Sequence, residues 1–233
     1  MRIAKFIAQS GYCSRREAEK LIIEKRITIN SYTCEKLGTI VSQNDEIKVN
    51  GKKIFLPTNV RMWKFYKPIG IITTSKDPQS RKTIYDILPG SIPRVISIGR
   101  LDINSEGLLL LTNNGNLARH IELPKNKFIR KYRVRLKGLV DKKKLQSLSS
   151  GINIDNTKYK AIKAKLIKQN SSNAWITMEL SEGKNREIRK ICNHFGWQVN
   201  RLIRTHYGEY SLQNLKPGDL QEIKNHSFQK YGL

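Results

Sequence analysis

The stretch ISIGRLDINSEGLLLLTNNG, residues 96–115, carries the pattern on which the fold assignment depends. Two apolar runs, RVISIG and GLLLLT, flank a polar loop, and each is typical of a short buried strand. Asp102 lies in that loop, two residues after Arg100. The pattern therefore predicts a carboxylate held beside an arginine at the edge of a buried strand.

Asp102 has three possible explanations. DINSEG is similar to the start of a calcium loop, with oxygen-bearing side chains at positions 102, 104 and 106. The twelfth position of such a loop should be glutamate, but it is Asn113 here, which excludes calcium. An aspartate that caps a turn and a carboxylate that acts as nucleophile or acid–base group both remain open at this point.

Strand patterns dominate on both sides of this loop. WKFYKPIGIITTS predicts a strand, a turn and a second strand, and KPGDLQEI predicts a turn followed by a strand. RKYRVRLKG alternates, with Tyr132, Val134 and Leu136 on one face and basic residues on the other. AIKAKLIK and AWITMEL continue the pattern, and helices are predicted near 116–121, near 141–149 and in NREIRKICNHF. The fold class is therefore α+β, with a mixed, largely antiparallel sheet and flanking helices. Trp63, Trp175 and Trp197 all fall within strand patterns and are expected in the core.

Residues 1–56 form a separate small basic α/β domain in this interpretation, and residues 57–233 form the second domain. RIAKFIAQ predicts a helix, and SRREAEKLIIEK predicts another that begins with a capping box of Ser14 and Glu17. RITIN and DEIKV predict short strands, and Asn50-Gly51 is a hairpin signal. Arg15 and Arg16 lie outside the apolar stripe of the second helix.

Charge indicates the partner. Lysine and arginine number 44 against 19 acidic residues, a net charge of +25. Such an excess favours a polyanion, and nucleic acid is the natural one; a lysine-rich composition throughout the source organism is the alternative. Three distant cysteines and four unpaired histidines give neither a disulfide framework nor a zinc site. A charged N-terminus and the lack of an apolar run of about 20 residues favour a soluble, cytoplasmic protein.

Two further basic segments have both a functional and an ordinary explanation. In SEGKNREIRK, residues 181–190, Lys184 and Arg186 precede a helix and fit a phosphate site at its N-terminus, or an ordinary basic surface helix. The strand face that contains Arg133 either follows RNA phosphates or is simply solvated. Tyr132 is by pattern a core tyrosine.

In combination and in order, these segments resemble the bacterial ribosomal RNA pseudouridine synthases of the RsuA family, over almost the whole chain. GRLDINSEGLLLLTNNG resembles the family's aspartate motif, RKYRV its tyrosine motif and EGKNREIRKI its arginine motif. Residues 1 to about 50 resemble an RNA-binding module named after a small-subunit ribosomal protein. The sequence of the EGKNREIRK segment is more similar to the large-subunit branch of the family than to the small-subunit branch. Lys25, Ser31 and Ser80 stand where glycine is usual, and Asn114 where aspartate is usual.

The resemblance implies an isomerase that converts uridine to pseudouridine without cofactor or metal. Asp102 would act at the anomeric carbon, Arg189 would pair with its carboxylate, and Tyr132 would pack on the uracil. The partner would be ribosomal RNA, from the large subunit or its assembly intermediate, and the enzyme would be a monomer. The alternatives are the same reaction on small-subunit rRNA and a non-catalytic ribosome-associated factor. The resemblance and the basic segments together predict RNA contacts at Arg100, Arg15, Arg16, Lys184, Arg186 and Arg133.

Overall fold

The N-terminal part of the chain folds around an apolar cluster of its own. The computed structural model describes residues 1–42, 44–224, 228 and 231. Ile3, Ile7, Ile22, Ile27 and Val49 are fully buried at the centre of this first cluster, and the partly buried Leu56 closes it. The elements are helices α1 (Ile3–Gln9) and α2 (Arg15–Ile23) and a sheet in the order β2-β1-β3-β4, formed by β1 (Ile27–Ile29), β2 (Tyr32–Thr33), β3 (Ile47–Val49) and β4 (Lys52–Lys53).

Local signals explain how these elements begin and turn. The Glu17 backbone N–H donates to the Ser14 hydroxyl at 3.2 Å, and the Glu17 carboxylate accepts from the Ser14 backbone N–H at 3.0 Å, which confirms the capping box. Asn50 and Gly51 have φ angles of 51° and 76°, as a two-residue hairpin turn requires. The domain boundary at residue 56 stays a prediction.

The rest of the chain is built on one nine-stranded sheet. Its main path runs β11-β12-β8-β13-β7-β5-β15; β6 also pairs with β7, β14 with β13, and β9 and β10 form a separate hairpin. The strands are β5 (Met62–Lys67), β6 (Ile96–Ile98), β7 (Glu106–Thr112), β8 (Arg130–Lys137), β9 (Ile152–Ile154), β10 (Thr157–Tyr159), β11 (Lys163–Gln169), β12 (Asn173–Leu180), β13 (Val199–Tyr207), β14 (Tyr210–Ser211) and β15 (Leu220–Ile223). The helices are α3 (Gly115–Glu122), α4 (Lys142–Ser147) and α5 (Glu187–His194).

A single parallel contact joins the two halves of this sheet. Strands β13 and β7 pair in parallel through Ile203 with Glu106 and Arg204 with Gly107, whereas the other strand pairs of the described sheet are antiparallel. A Cβ on Gly107 would lie 2.4 Å from the Arg204 carbonyl oxygen, and the φ of Gly107 is +107°. Glycine is required here because the two backbones approach too closely for a side chain. The mixed, largely antiparallel sheet is therefore confirmed.

The two faces of the sheet are covered differently. On the first face, one cluster around Val134 and Ile176 packs against Ile191 of α5, and a second around Phe65 and Leu109 continues it. On the second face, Leu108 and Leu110 pack against α3 through Leu117 and Ile121, but only on the β5–β7 half. The second face of β8, β11 and β12 carries exposed lysine and arginine side chains. Among the described residues, no helix is long and apolar enough to cross a membrane.

Two expectations are wrong. The second strand predicted in GIITTS does not form; Ile72 makes only an isolated parallel bridge to Thr83. The chain turns at Gly70, whose φ is +83°, and Ile72 then meets a neighbour at that one position instead of a continuous strand edge. Trp63 and Trp197 are buried as expected, but Trp175 is only half-buried and lies on the open second face, because its neighbours Ala174 and Ile176 face the core.

Candidate active site

A cavity of about 290 Å³ opens between the Asp102 loop, strand β8 and helix α5. Its walls come from the loop at 99–105, from strands β8 and β13, and from the segment 182–189. The volume is near the lower end of the range for small-ligand sites. The fold therefore brings Asp102, Tyr132 and Arg189, the three residues of the predicted catalytic set, to one cavity.

The loop that carries Asp102 is fixed through its backbone. The Ser105 N–H donates to the Asp102 carbonyl at 3.0 Å and closes a turn, and the Gly70 N–H donates to the Ile103 carbonyl at 2.8 Å. The turn is closed by the backbone of Asp102 and not by its carboxylate, so a capping role does not account for the side chain. That side chain is 34% exposed and lines the cavity.

A buried lysine, which the sequence analysis missed, holds the same loop from below. The ammonium of Lys67 donates to the Ser105 carbonyl at 2.8 Å and to the Pro68 carbonyl at 2.9 Å. Burial lowers the pKa of Lys67 to about 8, and the Asp102 and Glu106 carboxylates oppose that change. The available signal is a lysine at the end of a strand pattern, in FYKP, whose neighbours are all apolar or aromatic.

Two arginines of the third motif meet the Asp102 loop. Arg186 Nη1 lies 3.6 Å from Asp102 Oδ2, and Arg189 Nη2 donates to the Asn104 carbonyl at 2.6 Å. The ion pair that the resemblance implied for Arg189 is therefore formed by Arg186. Arg186 has a left-handed φ of 51°, so helix α5 begins only at Glu187 and Arg186 lies closer to the carboxylate. Burial and the charge of Arg186 lower the pKa of Arg189, and the charge of Asp102 opposes this.

Tyr132 forms part of the wall of the cavity. It is half-buried, pairs across the sheet with Met178 and Arg204, and packs against both apolar clusters of the first face. Leu180, Ile188 and Leu202 also line the cavity. An aromatic ring set among aliphatic side chains gives a surface on which a planar base can stack.

Glu187 is a buried carboxylate at the cavity that the sequence analysis passed over. It is 4% exposed, its Oε2 accepts from the Lys184 N–H at 2.9 Å, and its Oε1 is buried without a hydrogen-bond partner in the described residues. Burial raises the pKa of Glu187 to about 7, and the nearby carboxylate of Glu182 acts in the same direction, whereas the hydrogen bond from Lys184 opposes it. The signal is a glutamate three residues after Lys184, at the start of a helix.

Two more arginines, also missed, lie beneath the cavity around Tyr207. Arg130 donates to the Tyr207 hydroxyl at 2.7 Å, and Arg204 Nε donates to the Leu108 carbonyl at 2.7 Å. Their guanidinium carbons lie 4.6 and 5.0 Å from the centre of the Tyr207 ring. Both arginines are less than 9% exposed, so they add positive charge to the floor of the site without reaching solvent.

The residues predicted to bind RNA do not all reach the cavity. Arg100, Lys184 and Arg186 are exposed and line it. Lys184 is partly engaged, because its ammonium contacts Glu182 at 3.0 Å and also donates to the Lys158 carbonyl. Away from the cavity, Arg133 lies on the second face of the sheet and Arg15 and Arg16 lie on the exposed first turn of α2.

Fold and cavity define a class of enzyme with one half-buried carboxylate in a cationic site, preceded by a small basic domain. Residues 61–194 match the RNA pseudouridylate synthase family and residues 1–47 match the S4 domain. The chain therefore belongs to the RNA pseudouridylate synthase family, and it is an RNA pseudouridine synthase.

Individual relatives match this chain over nearly its whole length. An RNA pseudouridine synthase of Rickettsia felis, described as uncharacterized, is 50% identical over 229 residues, which cover 98% of this chain and 99% of that protein. Ribosomal large subunit pseudouridine synthase B of Bacillus subtilis is 35% identical, over 98% of this chain and 94% of that protein. A crystal structure of a pseudouridylate synthase matches with a TM-score of 0.69 at 26% identity, over 99% of both chains.

Proposed function

We propose that this enzyme isomerises a uridine of large-subunit ribosomal RNA, with Asp102 as its catalytic residue. The observation that carries the proposal is the position of the Asp102 carboxylate, which lines a cavity with Tyr132 and has Arg186 3.6 Å away. The choice of RNA is supported by two relatives named ribosomal large subunit pseudouridine synthase B, from Bacillus subtilis and Pasteurella multocida, at 35% and 36% identity.

The reaction itself sets what the site must supply. The N1–C1′ bond of the nucleoside breaks and a C5–C1′ bond forms, the proton on C5 is lost, and N1 gains one, so the product has the same atoms as the substrate. The Asp102 carboxylate lies in a strongly cationic surrounding. Arg186 is 3.6 Å from it, and the half-buried Arg189 holds the same loop through the Asn104 carbonyl.

Tyr132 packs on the detached base and keeps it beside the sugar while it turns. The wall that it forms with Leu180 and Leu202 is apolar, so it supports the ring without competing for its polar edge. The turn at Asp102–Ser105, held by Lys67, fixes the carboxylate relative to this wall. Such rigidity is needed because a displacement of about half an ångström impairs catalysis.

The target nucleotide must leave its RNA stack to enter the cavity. Unstacking costs on the order of a few kcal/mol, and contacts to flanking phosphates offset it. Arg100, Lys184 and Arg186 lie at the exposed rim and make these contacts. The S4 domain adds Arg15 and Arg16, which we propose hold the RNA away from the cavity.

Replacing Asp102 tests the proposal. Asp102→Asn keeps the size of the side chain and removes its charge, so we expect loss of pseudouridine formation with RNA affinity kept within a few-fold. The measurement is chemical labelling of pseudouridine in large-subunit and small-subunit rRNA transcripts. Asp155→Asn, the same change at an exposed turn, is the control and should keep full activity.

Three outcomes would contradict the proposal. Near-normal turnover by Asp102→Asn would remove this residue from the chemistry. Labelling of the small-subunit transcript alone would assign the enzyme to the other rRNA. If neither transcript is modified by the wild-type protein but both are bound, a non-catalytic role is favoured.

A further inference from the structure

The open second face of strands β8, β11, β12 and β13 carries a dense group of cations. Tyr132, Val134 and Leu136 point towards the catalytic side, so Arg133 and Arg135 point away from it. Cross-strand register brings lysines of β11 and Trp175 of β12 alongside them. We call this group the back-face patch; it consists of Lys131, Arg133, Arg135, Lys163, Lys165, Lys168, Trp175 and Arg201.

Few carboxylates neutralise this patch. Glu179 lies 3.2 Å from Lys131 and 4.0 Å from Lys163, and Glu106 binds Arg201 at 2.6 Å. Arg133, Arg135, Lys165 and Lys168 form no ion pair with any residue that the structure describes.

The arrangement is unfavourable for the isolated protein. Arg135 and Arg201 are direct cross-strand partners, and like charges placed opposite each other destabilise a sheet. A surface that intersperses both signs of charge would avoid this repulsion. The accumulated positive charge is relieved when a polyanion covers the patch.

An aromatic ring lies in the middle of these charges. Trp175 is half-buried, the guanidinium carbon of Arg133 lies 4.8 Å from the centre of its ring, and Arg135 is its cross-strand partner. An open sheet that combines exposed arginines with an aromatic ring is a recurrent RNA-binding surface, because phosphates meet the cations while sugars or bases pack on the ring. This combination favours RNA over an acidic protein as the partner, because an acidic protein has no bases to stack on the Trp175 ring.

We propose that the back-face patch is a second RNA-binding surface, which binds phosphates of a part of the substrate RNA other than the one inserted in the cavity. This deepens the proposed function, since it rests on an RNA substrate. The patch reaches β11, the outermost strand, which is two strands from β8 or about 10 Å away. We expect a large RNA bound at the catalytic side to continue around this edge, and a short hairpin that carries only the modified uridine to remain mainly on the catalytic side.

The test compares a long and a short RNA. The triple variant Arg135→Gln, Lys165→Gln, Lys168→Gln removes three unpaired charges without touching the cavity. The control Arg119→Gln, Lys125→Gln, Lys216→Gln makes the same changes at exposed residues outside the patch. Affinity is measured against KCl concentration for a full-length large-subunit rRNA transcript and for a short hairpin that contains the modified uridine.

The back-face variant should bind the transcript about tenfold more weakly at moderate salt, and the slope of log affinity against log salt should fall by about 2, since each phosphate contact contributes about 0.7 to 0.9. Its isomerisation of the hairpin should equal that of wild type. Equal losses in variant and control, or unchanged affinity for the transcript, would overturn the proposal. Binding does not depend on Asp102, so failure of the catalytic assignment would leave this test readable.

Discussion

Replacing Glu187 by glutamine should stabilise the enzyme at alkaline pH and not at acidic pH. Burial raises the pKa of Glu187 from 4.5 to about 7, which corresponds to on the order of 3 kcal/mol. The pKa of Glu187 is higher in the folded than in the unfolded state. Its contribution to stability is therefore fully present below pH 4.5 and is lost as the pH rises through 7. Above pH 7 the folded protein carries the whole cost of an ionised, buried carboxylate with one unpartnered oxygen.

The assay is urea unfolding of wild type and Glu187→Gln at about pH 5 and about pH 8, followed by tryptophan fluorescence. Trp63, Trp175 and Trp197 all lie in the region of the large sheet, so the signal does not report on the S4 domain. The difference in unfolding free energy between variant and wild type should grow by on the order of 3 kcal/mol between the two conditions. The exposed Asp155→Asn serves as control. A difference of the same size at both pH values would refute the assigned cause.

Two further predictions concern how the loop and the sheet are held. Lys67→Met should lower kcat at least tenfold with little change in KM. The Ser105 carbonyl loses its buried donor at a cost of about 1–3 kcal/mol, and the Asp102 turn loosens as a result. Steady-state kinetics on the hairpin check this prediction, and an unchanged kcat would contradict it. Gly107→Ala should cost several kcal/mol of stability, since its Cβ would lie 2.4 and 2.8 Å from backbone atoms of Arg204. Gly70→Ala, also at positive φ but with nothing within 4 Å, should cost about 1 kcal/mol; equal melting temperatures for the two alanine variants would show that the close approach is unimportant.

Signals that act over a few residues predict the structure well in this chain. The capping box at Ser14 and the turn at Asn50-Gly51 form as predicted because each depends only on neighbouring backbone. The alternation in RKYRVRLKG was likewise predicted correctly, since period two leaves one assignment of faces. The same rule applied to AWITMEL would have placed Trp175 on the open face; assigning it to the core because it lies within a strand pattern was the error.

Contacts between segments that are distant in the sequence were harder to predict. The motifs identified the segments that meet at the cavity, but whether Arg186 or Arg189 faces the Asp102 carboxylate depends on where helix α5 begins, and a left-handed residue sets that start. Lys25, Ser31 and Ser80, at positions where glycine is usual, all have positive φ angles of 56°, 74° and 52°. The loops thus keep a glycine-like conformation at a cost of about 1 kcal/mol or more each, which no propensity rule for serine or lysine predicts.

The place of β13 in the sheet has a consequence for the order in which the cavity forms during synthesis. Residues 199–207 are inserted between β8 and β7, two strands that were made earlier, and Tyr207 forms part of the cavity. A nascent chain that has reached only α5 already contains Asp102, Tyr132 and Arg189 but has no strand to hold them together. We therefore expect the cavity to form only after β13 has been synthesised and has paired with β7 and β8.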